Sequence, residues 1–393
     1  MPQKPLTYLN TQPKQFLFDG CKLLWHQDKL QDYLAGKRIT PIHIDMGIHK
    51  SCNIRCIYCY GIKQKPSPEY IPEDRLLLLA QDAKDMGVKS LAVIGDGEPT
   101  LNKGLYKFAQ TAKSIGLDMS VATNGLLLKD DQIKILCDSL VWLRFNISGT
   151  DKGYDRIHGT MNGFHTFKKV IKQAVSNGEQ SGCTVGLQMV LIPQCFDQVI
   201  PLALYAKEWG VDYLVIKQFS DPEEGIPISF NMDEYDKVID TLHLVEDMST
   251  DKTKIIVKWE AIHDTRSITK HKLWDFDRCI DLPFIFQISG NGKCYPCGYF
   301  FGDKRYCYGD VTKQRLRDIL LSKPYWDIIN TIANSELHGL CKGQCRHCET
   351  NKFIDRLKKA YKGGLREALV DMCGNEENYT HLIKNPPKHV NFV

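Results

Sequence analysis

Three cysteines close together in the sequence are the residues best suited to chemistry. Cys52, Cys56 and Cys59 form a Cx3Cx2C pattern that directly follows an apolar, strand-like segment, residues 41–48. Soft thiolate ligands select zinc, copper(I) or iron–sulfur clusters. A [4Fe–4S] cluster ordinarily takes four cysteines. Three local ligands would therefore leave one iron open, and an open metal position is where a cofactor or substrate can bind.

This loop resembles the cluster loop of the radical S-adenosylmethionine (SAM) enzymes, with an aromatic residue, Tyr58, just before its last cysteine. The resemblance implies a [4Fe–4S] cluster on Cys52, Cys56 and Cys59, whose open iron chelates the amino and carboxylate groups of SAM. An electron from the cluster would cleave the sulfonium, and the resulting 5′-deoxyadenosyl radical would abstract hydrogen from a substrate. The alternatives are a structural zinc site with a distant fourth ligand, and disulfides, which the tight spacing disfavours.

Composition limits the classes of protein to which the chain could belong. Its 393 residues suffice for one large domain and a smaller one. A balance of 51 Lys+Arg against 47 Asp+Glu does not indicate a nucleic-acid-binding surface. We find neither the apolar core of a signal peptide near the start nor an apolar run of the ~20 residues needed to span a membrane. We therefore expect a cytoplasmic protein with reduced thiols.

Apolar runs and amphipathic stretches alternate between residues 41 and 219. They predict strands at 41–48, 89–94, 117–122, 141–148, 184–192 and 212–219, and helices near 73–86, 103–115, 130–138, 163–178 and 197–209. Six successive βα units predict an α/β protein with a parallel sheet, whose chemistry lies at the carboxyl ends of the strands. The resemblance sharpens this class to the partial (β/α)6, TIM-like barrel of the radical SAM core, followed by a smaller α+β cluster-binding domain.

The chain divides into five predicted regions. They are an N-terminal arm with a helix near 22–34 (1–40), the radical SAM core (41–220), a connecting region with a helix near 233–246 and a strand at 254–258 (221–278), an auxiliary cluster domain (279–350), and a C-terminal tail (351–393). In the tail we expect a helix at 352–361, a second short helix ending at Met372, and irregular structure beyond it.

Residues that would contact SAM follow the other predicted strands. Gly95-Asp96-Gly97-Glu98-Pro99 resembles the GGEP stretch of the family, with Asp96 in the place of its first glycine. The resemblance implies cofactor contacts for Tyr58, Gly95, Gly97, Glu98, Pro99, Asn124, Ser148 and Gln188. Gly97 would let the backbone approach the methionyl amino group closely. For polar residues of the fourth strand, such as Arg144 and Asn146, the alternative is a set of buried hydrogen bonds that hold the barrel.

Two further residues of the core, Lys217 and Cys195, are candidates for a function, and the role of a third position, 158, is left open. Residues 154–159, followed by Gly163-Phe164, resemble the hD.iRG..gF stretch of members with a C-terminal cluster domain, with His158 in the place of the usual arginine. Lys217, at the end of the sixth strand, could bind a carboxylate or phosphate, or could simply point to solvent. Cys195, after the fifth strand, could donate a hydrogen atom to a substrate radical, although a free cysteine is more often a small buried hydrophobe.

A second group of cysteines follows an Asn291-Gly292 turn that predicts a β-hairpin. The order of Cys279, Gly292-x4-Cys297, a helix and Cys345-x2-Cys348 resembles the SPASM/twitch region of the family. This resemblance implies at least one auxiliary [4Fe–4S] cluster, with the ligands Cys279, Cys297, Cys345 and Cys348, and Cys341 in reserve. A second auxiliary cluster drawing on Cys294, Cys307, Cys341 and Cys373, and a structural zinc site, are the alternatives.

The resemblance implies an enzyme of oxidoreductase or epimerase type. We expect a carbohydrate or other small polar metabolite as substrate, because the short N-terminal arm leaves no room for a fused peptide-recognition domain. One alternative is a maturase that cross-links or epimerises a ribosomal peptide or protein. Another is an iron–sulfur electron carrier, which would need neither the GxGEP stretch nor an open iron. The expected partner is an external one-electron donor such as flavodoxin or ferredoxin.

Overall fold

The structure is a computed structural model that describes residues 15–59, 61, 66–219, 232–259, 262, 276–335 and 346–393. These residues form one ten-stranded sheet in the order β10-β9-β8-β1-β2-β3-β4-β5-β6-β7. The strands are β1 His43–Met46, β2 Ser90–Val93, β3 Asp118–Thr123, β4 Trp142–Asn146, β5 Thr184–Leu191, β6 Tyr213–Gln218, β7 Lys254–Val257, β8 Ile285–Ile288, β9 Lys293–Tyr295 and β10 Gly309–Asp310. From β8 to β7 every neighbouring pair is parallel, while β9 and β10 are antiparallel additions.

Helices cover the sheet between successive strands. Those described are α1 Gln27–Leu34, α2 Glu73–Asp85, α3 Leu105–Ser114, α4 Asp130–Ser139, α5 Asp151–His158, α6 Gly163–Ser181, α7 Val199–Trp209, α8 Ile239–Asp247, α9 Leu316–Leu321, α10 Lys323–Asn334, α11 Cys348–Ala360, α12 Leu365–Cys373 and α13 Glu376–Lys384. The six core strands and the five core helices predicted from the sequence are confirmed. α6 and α7 end at Gly182 and Gly210, whose φ angles of 78° and 68° suit glycine. The fold is thus the open, parallel α/β barrel expected from the pattern.

Two segments assigned outside the core extend its sheet on both sides. The strand predicted at 254–258 is β7, which pairs in parallel with β6. The predicted hairpin forms from β8 and β9, but β8 also pairs in parallel with β1, with His43 beside Ile285. This pairing covers the edge of β1, which would otherwise expose a row of backbone donors and acceptors. The auxiliary cluster region is therefore joined to the core through backbone hydrogen bonds.

The prediction of an irregular tail was wrong, because α13 follows α12 and the last residues are buried. Phe392 is 1% exposed, and its ring lies 5.6 Å from that of Trp142 and 5.5 Å from that of His43. His389 Nε2 lies 3.0 Å from Thr184 Oγ1. The partners Trp142, His43 and Thr184 are the first residues of their strands. The tail therefore covers the end of the barrel opposite the cysteine loop.

The N-terminal arm completes this base cover, which we define as residues 16–25 and 385–393. The predicted helix near 22–34 is split into a 3-10 helix, Gly20–Trp25, and α1. Lys22 is fully buried and donates hydrogen bonds to the carbonyls of Leu17 and Phe392, at 2.6 and 3.2 Å. The two chain segments thus bind each other as well as the strands. Among the described residues, none of the helices combines the length and apolarity required to cross a membrane.

We expect Phe392→Ala to destabilise the fold by about 3 kcal/mol, because the substitution empties a buried aromatic site in the base cover. Denaturant unfolding of the anaerobic protein, followed by circular dichroism, measures the change. Met161→Ala is the control, since Met161 is 93% exposed. Equal unfolding midpoints for the two variants would contradict a packing role for the base cover.

Candidate active site

The cysteine loop lies at the carboxyl end of β1 and is fixed against α5. The backbone N–H groups of Arg55 and Ile57 donate to the carbonyls of His158 and Ile157, at 3.2 and 3.0 Å. These bonds tie the loop to the last turn of α5. Helix α5 was not predicted as an element of its own, although its sequence was singled out. Helix α5 thus supports the cysteine loop.

The structure brings the three predicted ligands together. Cys56 is buried, Cys59 is half-buried and Cys52 is exposed. Although Cys52 is exposed as a residue, its thiol is partly withdrawn from water, which raises its pKa to about 11, and the nearby Glu98 carboxylate and Cys59 add to the rise. Burial and the other two thiols also raise the pKa of Cys56. Thiolates at such positions need a bound cation to offset their charge, as a metal cluster provides.

Within the described residues, no three Cys, His, Asp or Glu side chains converge on a point that one metal ion could occupy. A cluster in which each thiolate binds a different iron needs no such convergence. By type and number, the three thiols of the cysteine loop suit a [4Fe–4S] cluster with one open iron.

Glu98 connects the loops that follow β2 and β3. Its carboxylate is 2% exposed and accepts hydrogen bonds from Thr123 Oγ1 at 2.5 Å, Asn124 N at 2.8 Å and Thr100 N at 3.0 Å. Burial raises its pKa, and these donors act in the opposite direction. The Asn124 amide in turn donates to Asn53 Oδ1 at 2.8 Å. Glu98 thus anchors the loop that contacts the start of the cysteine loop.

Gly97 lies directly against the cysteine loop. Its φ is 124°, and a Cβ at this position would lie 2.1 Å from His49 O and 2.8 Å from Ser51 O. The next residue, Glu98, donates its backbone N–H to Ser51 O at 2.8 Å. Pro99 is buried and begins a short 3-10 helix. Close packing on the loop is therefore a reason for glycine here, beside the predicted approach to SAM.

Asp96, the departure from the GGEP pattern, ties this loop to the hairpin of β8 and β9. Its carboxylate accepts from Ser289 Oγ at 2.7 Å and from Gly290 N at 2.6 Å, and it lies 3.8 Å from Lys50 Nζ. Burial raises the pKa of Asp96. The adjacent Gly95 is equally close-packed, since a Cβ there would lie 2.3 Å from Gly47 Cα. Glycine at position 96 would remove both carboxylate contacts.

Two polar residues, one at the end of β4 and one just after it, contact the Tyr58 hydroxyl. This oxygen accepts from Asn146 Nδ2 at 2.9 Å and from Ser148 Oγ at 3.1 Å, and the Val190 backbone N–H donates to Ser148 Oγ at 3.0 Å. Gln188 Nε2 lies 3.5 Å from Asn146 Oδ1. These contacts match the alternative of buried hydrogen bonds that hold the barrel. Contacts of Tyr58, Ser148 and Gln188 with SAM stay predictions.

Two basic side chains occupy the same face of the sheet. The Arg144 guanidinium lies 5.0 Å from the ring centre of Trp142. Burial lowers the pKa of Lys217 to about 7, with further lowering by Lys258 and Arg144. An anion near Lys217 would offset this repulsion. Its predicted role in binding a carboxylate or phosphate stays a prediction.

Cys195 has the contacts of a buried turn residue. Its side chain is 0% exposed. Its thiol lies 3.2 Å from Ile192 O and accepts from the Ile192 backbone N–H at 3.3 Å. Burial raises the pKa of Cys195 to about 12. The proposed donation of a hydrogen atom stays a prediction, and these contacts favour the alternative of a small buried side chain.

The predicted auxiliary ligands are only partly described, because Cys341 and Cys345 lie outside the described residues. Cys348 is buried at the start of α11, and Asn351 of the same helix donates to Cys279 Sγ at 3.6 Å. Asn351 Oδ1 also accepts from the Ile280 backbone N–H at 2.6 Å. Cys279 and Cys348 are thus held near each other through Asn351.

The remaining described cysteines of this region lie in two different apolar clusters. Cys297 is half-buried and lies against the main apolar core, as does Cys307. Cys294 is fully buried in that core. Cys373 belongs instead to the smaller apolar cluster around α1 and α12. This separation disfavours a second cluster that includes Cys373.

Sequence reasoning missed one buried histidine beside the cysteines, His347, and left the role of another, His158, open. His347 Nδ1 lies 2.9 Å from Asp281 Oδ2, and its Nε2 lies 3.1 Å from Gln287 Nε2. His158 Nδ1 lies 3.1 Å from Cys56 Sγ, and burial lowers the pKa of His158 to about 3. The only sequence signal was position, since His347 lies between two cysteines and His158 replaces an arginine.

Comparison with known proteins gives two family matches. The radical SAM superfamily model matches residues 46–204, and the SPASM iron–sulfur cluster-binding domain model matches residues 279–349. The sporulation killing factor maturation protein SkfB of Bacillus subtilis is 29% identical over 134 residues, which are 34% of this chain and only 32% of that relative. The tungsten-containing aldehyde ferredoxin oxidoreductase cofactor-modifying protein of Pyrococcus furiosus is 24% identical over 72% of this chain and 82% of its own length.

Among solved structures, SuiB of Streptococcus suis bound to SAM has a TM-score of 0.60 at 17% identity, covering 77% of this chain and 71% of SuiB. SuiB is also known bound to its precursor peptide SuiA. At this identity the likeness establishes the fold alone.

We expect Asp96→Ala to weaken SAM binding about tenfold, because it frees the loop after β2 from Ser289 and Gly290, and supporting residues around metal sites have effects of this size. Equilibrium binding of SAM to the anaerobic, cluster-loaded protein measures the change. Asp371→Ala, at an exposed position in α12, is the control. Unchanged SAM affinity in Asp96→Ala would show that the tie to the hairpin does not support the SAM site.

Proposed function

Because the chain belongs to the radical SAM superfamily and carries a SPASM domain, we propose that it modifies a peptide or protein by hydrogen abstraction. The observation that carries this proposal is the similarity to SkfB, a sporulation killing factor maturation protein, over 34% of this chain. The open-barrel fold is also that of SuiB, which binds a precursor peptide. Our expectation of a carbohydrate rested on the short N-terminal arm. That reasoning does not apply to a peptide presented by a separate recognition protein.

In the proposed mechanism, Cys52, Cys56 and Cys59 supply the thiolates that hold the core cluster. When bound, the cluster and SAM together supply a 5′-deoxyadenosyl radical that removes a hydrogen atom from the substrate. The Glu98 and Asp96 carboxylates hold the surrounding loops against the cysteine loop, as described above. The base cover closes the far end of the barrel. Substrate therefore enters at the carboxyl ends of the strands, beside the cysteines.

Cys279, Cys297, Cys345 and Cys348 are the proposed ligands of the auxiliary cluster. An external protein such as flavodoxin or ferredoxin is the proposed electron donor. Lys217, on the inner face of β6, would favour a substrate with a negatively charged group near the reacting carbon.

A small-molecule substrate is the second candidate function. It is supported by the similarity to the Pyrococcus furiosus cofactor-modifying protein, which extends over 82% of that relative. The two candidates share the same core chemistry and differ in what occupies the barrel mouth. Substrate identity therefore has to be decided by following the abstracted hydrogen.

The decisive experiment uses a candidate precursor peptide, chosen by inspecting the neighbouring genes and made with fully deuterated residues. Anaerobic protein, loaded with iron and sulfide and supplied with SAM and a reductant, should move deuterium from the peptide into 5′-deoxyadenosine, as seen by mass spectrometry. The same peptide in undeuterated form is the control. Deuterium transfer from a labelled small-molecule extract, but not from the peptide, would contradict the proposal and favour the second candidate.

The cluster assignment makes a separate prediction. Cys56→Ala should abolish SAM cleavage and lower iron by about four atoms per chain, because one [4Fe–4S] cluster loses a ligand. Cys297→Ala should still cleave SAM while forming no product. Cys137→Ala is the matched control, since Cys137 is buried between helices, with its thiol 3.6 Å from Ala174 O. Full iron content and SAM cleavage in Cys56→Ala would refute the assignment.

A further inference from the structure

The buried contact between Cys56 and His158 defines a specific hydrogen bond. His158 is the last residue of α5 and is 0% exposed, and its Nδ1 lies 3.1 Å from Cys56 Sγ. Its ring is enclosed by Tyr154 and Tyr58, with ring centres 4.4 and 5.9 Å away. The imidazole is therefore fixed in place by packing.

The other ring nitrogen determines where the proton of the imidazole lies. The Ser148 backbone N–H donates to His158 Nε2 at 3.0 Å. A backbone amide can only donate at its nitrogen, so Nε2 must offer a lone pair. The single N–H of the ring is then on Nδ1, which faces Cys56 Sγ. The geometry thus makes His158 a hydrogen-bond donor to this sulfur.

Backbone contacts also hold His158 against the cysteine loop. Its carbonyl accepts from the Arg55 N–H at 3.2 Å, so the residue binds the cysteine loop through backbone and side chain. The next residue, Gly159, has a φ of 65° and ends the helix. Arginine at position 158 could not reproduce the arrangement, because its guanidinium has no acceptor for the Ser148 N–H.

We propose that His158 is a positioning residue whose Nδ1–H donates to Cys56 Sγ and thereby raises the reduction potential of the core cluster. A donor aimed at a ligand sulfur stabilises the reduced, more negative cluster more than the oxidised one. The inference rests on cluster ligation by Cys56, and it is independent of the substrate.

The test is a redox titration of the anaerobic, cluster-loaded protein followed by electron paramagnetic resonance. The core cluster is identified as the signal that changes when SAM is added. In His158→Phe, which keeps an aromatic ring and removes the donor, the ratio of reduced to oxidised core cluster at a fixed potential should fall about tenfold. For a one-electron couple this is a shift of about 59 mV. His158→Asn should restore most of the ratio, because its amide can donate from a similar position.

A spectroscopic measurement on the unmodified protein keeps the proposal testable if His158→Phe binds less iron. With ¹⁵N-labelled histidine, the reduced core cluster should show a hyperfine coupling to one nitrogen, transmitted through the N–H···S bond. His165→Phe, at an exposed position of α6, is the control and should keep both the coupling and the ratio. Absence of the coupling, or an unchanged ratio in an iron-replete His158→Phe, would overturn the proposal.

These outcomes are distinct from failure of the proposed function. Neither measurement uses a peptide, so a different substrate would leave them unchanged. If Cys56→Ala kept a full core cluster, the ligand assignment itself would fail, whatever the His158 variants showed.

Discussion

The loops at the carboxyl ends of parallel strands have no β-ladder to hold them together, and this constraint shapes the whole site. Their buried backbone groups must find other partners, since an unsatisfied polar group is costly in the interior. Here buried side chains provide hydrogen-bond partners for these backbone groups. Glu98 joins the loops after β2 and β3, and His158, at the end of α5, joins the segment after β4 to the cysteine loop. The position of the thiols therefore depends on polar contacts from several strands.

Two residues that depart from the family pattern make some of the most specific of these contacts. Asp96 replaces a glycine and binds the turn after β8, while His158 replaces an arginine and contacts Cys56. In both cases the new side chain can accept a hydrogen bond from a backbone N–H, which neither glycine nor arginine side chains can do. These two substitutions thus lower the similarity to the family motifs, but they add contacts that hold the site.

Much of the core could be predicted from the sequence, because the pattern of each strand and helix is local. Apolar runs bounded by turns placed β1 to β6, and the cysteine spacing placed the loop. The pairing of β8 with β1 joins segments far apart in the chain, and no local pattern encodes it. The prediction for the C-terminal tail was wrong for a similar reason. Phe392 is buried by contacts with Trp142 and His43, which are distant in the sequence.

The parallel pairing of β8 with β1 also fixes the relation between the two cluster-binding regions. A hinge between them would require breaking a ladder in the middle of a continuous sheet, which backbone hydrogen bonds and packing on both sides oppose. The separation between the two groups of cysteines is consequently set when the chain folds. Any adjustment during turnover must come from the substrate and from the loops at the barrel mouth.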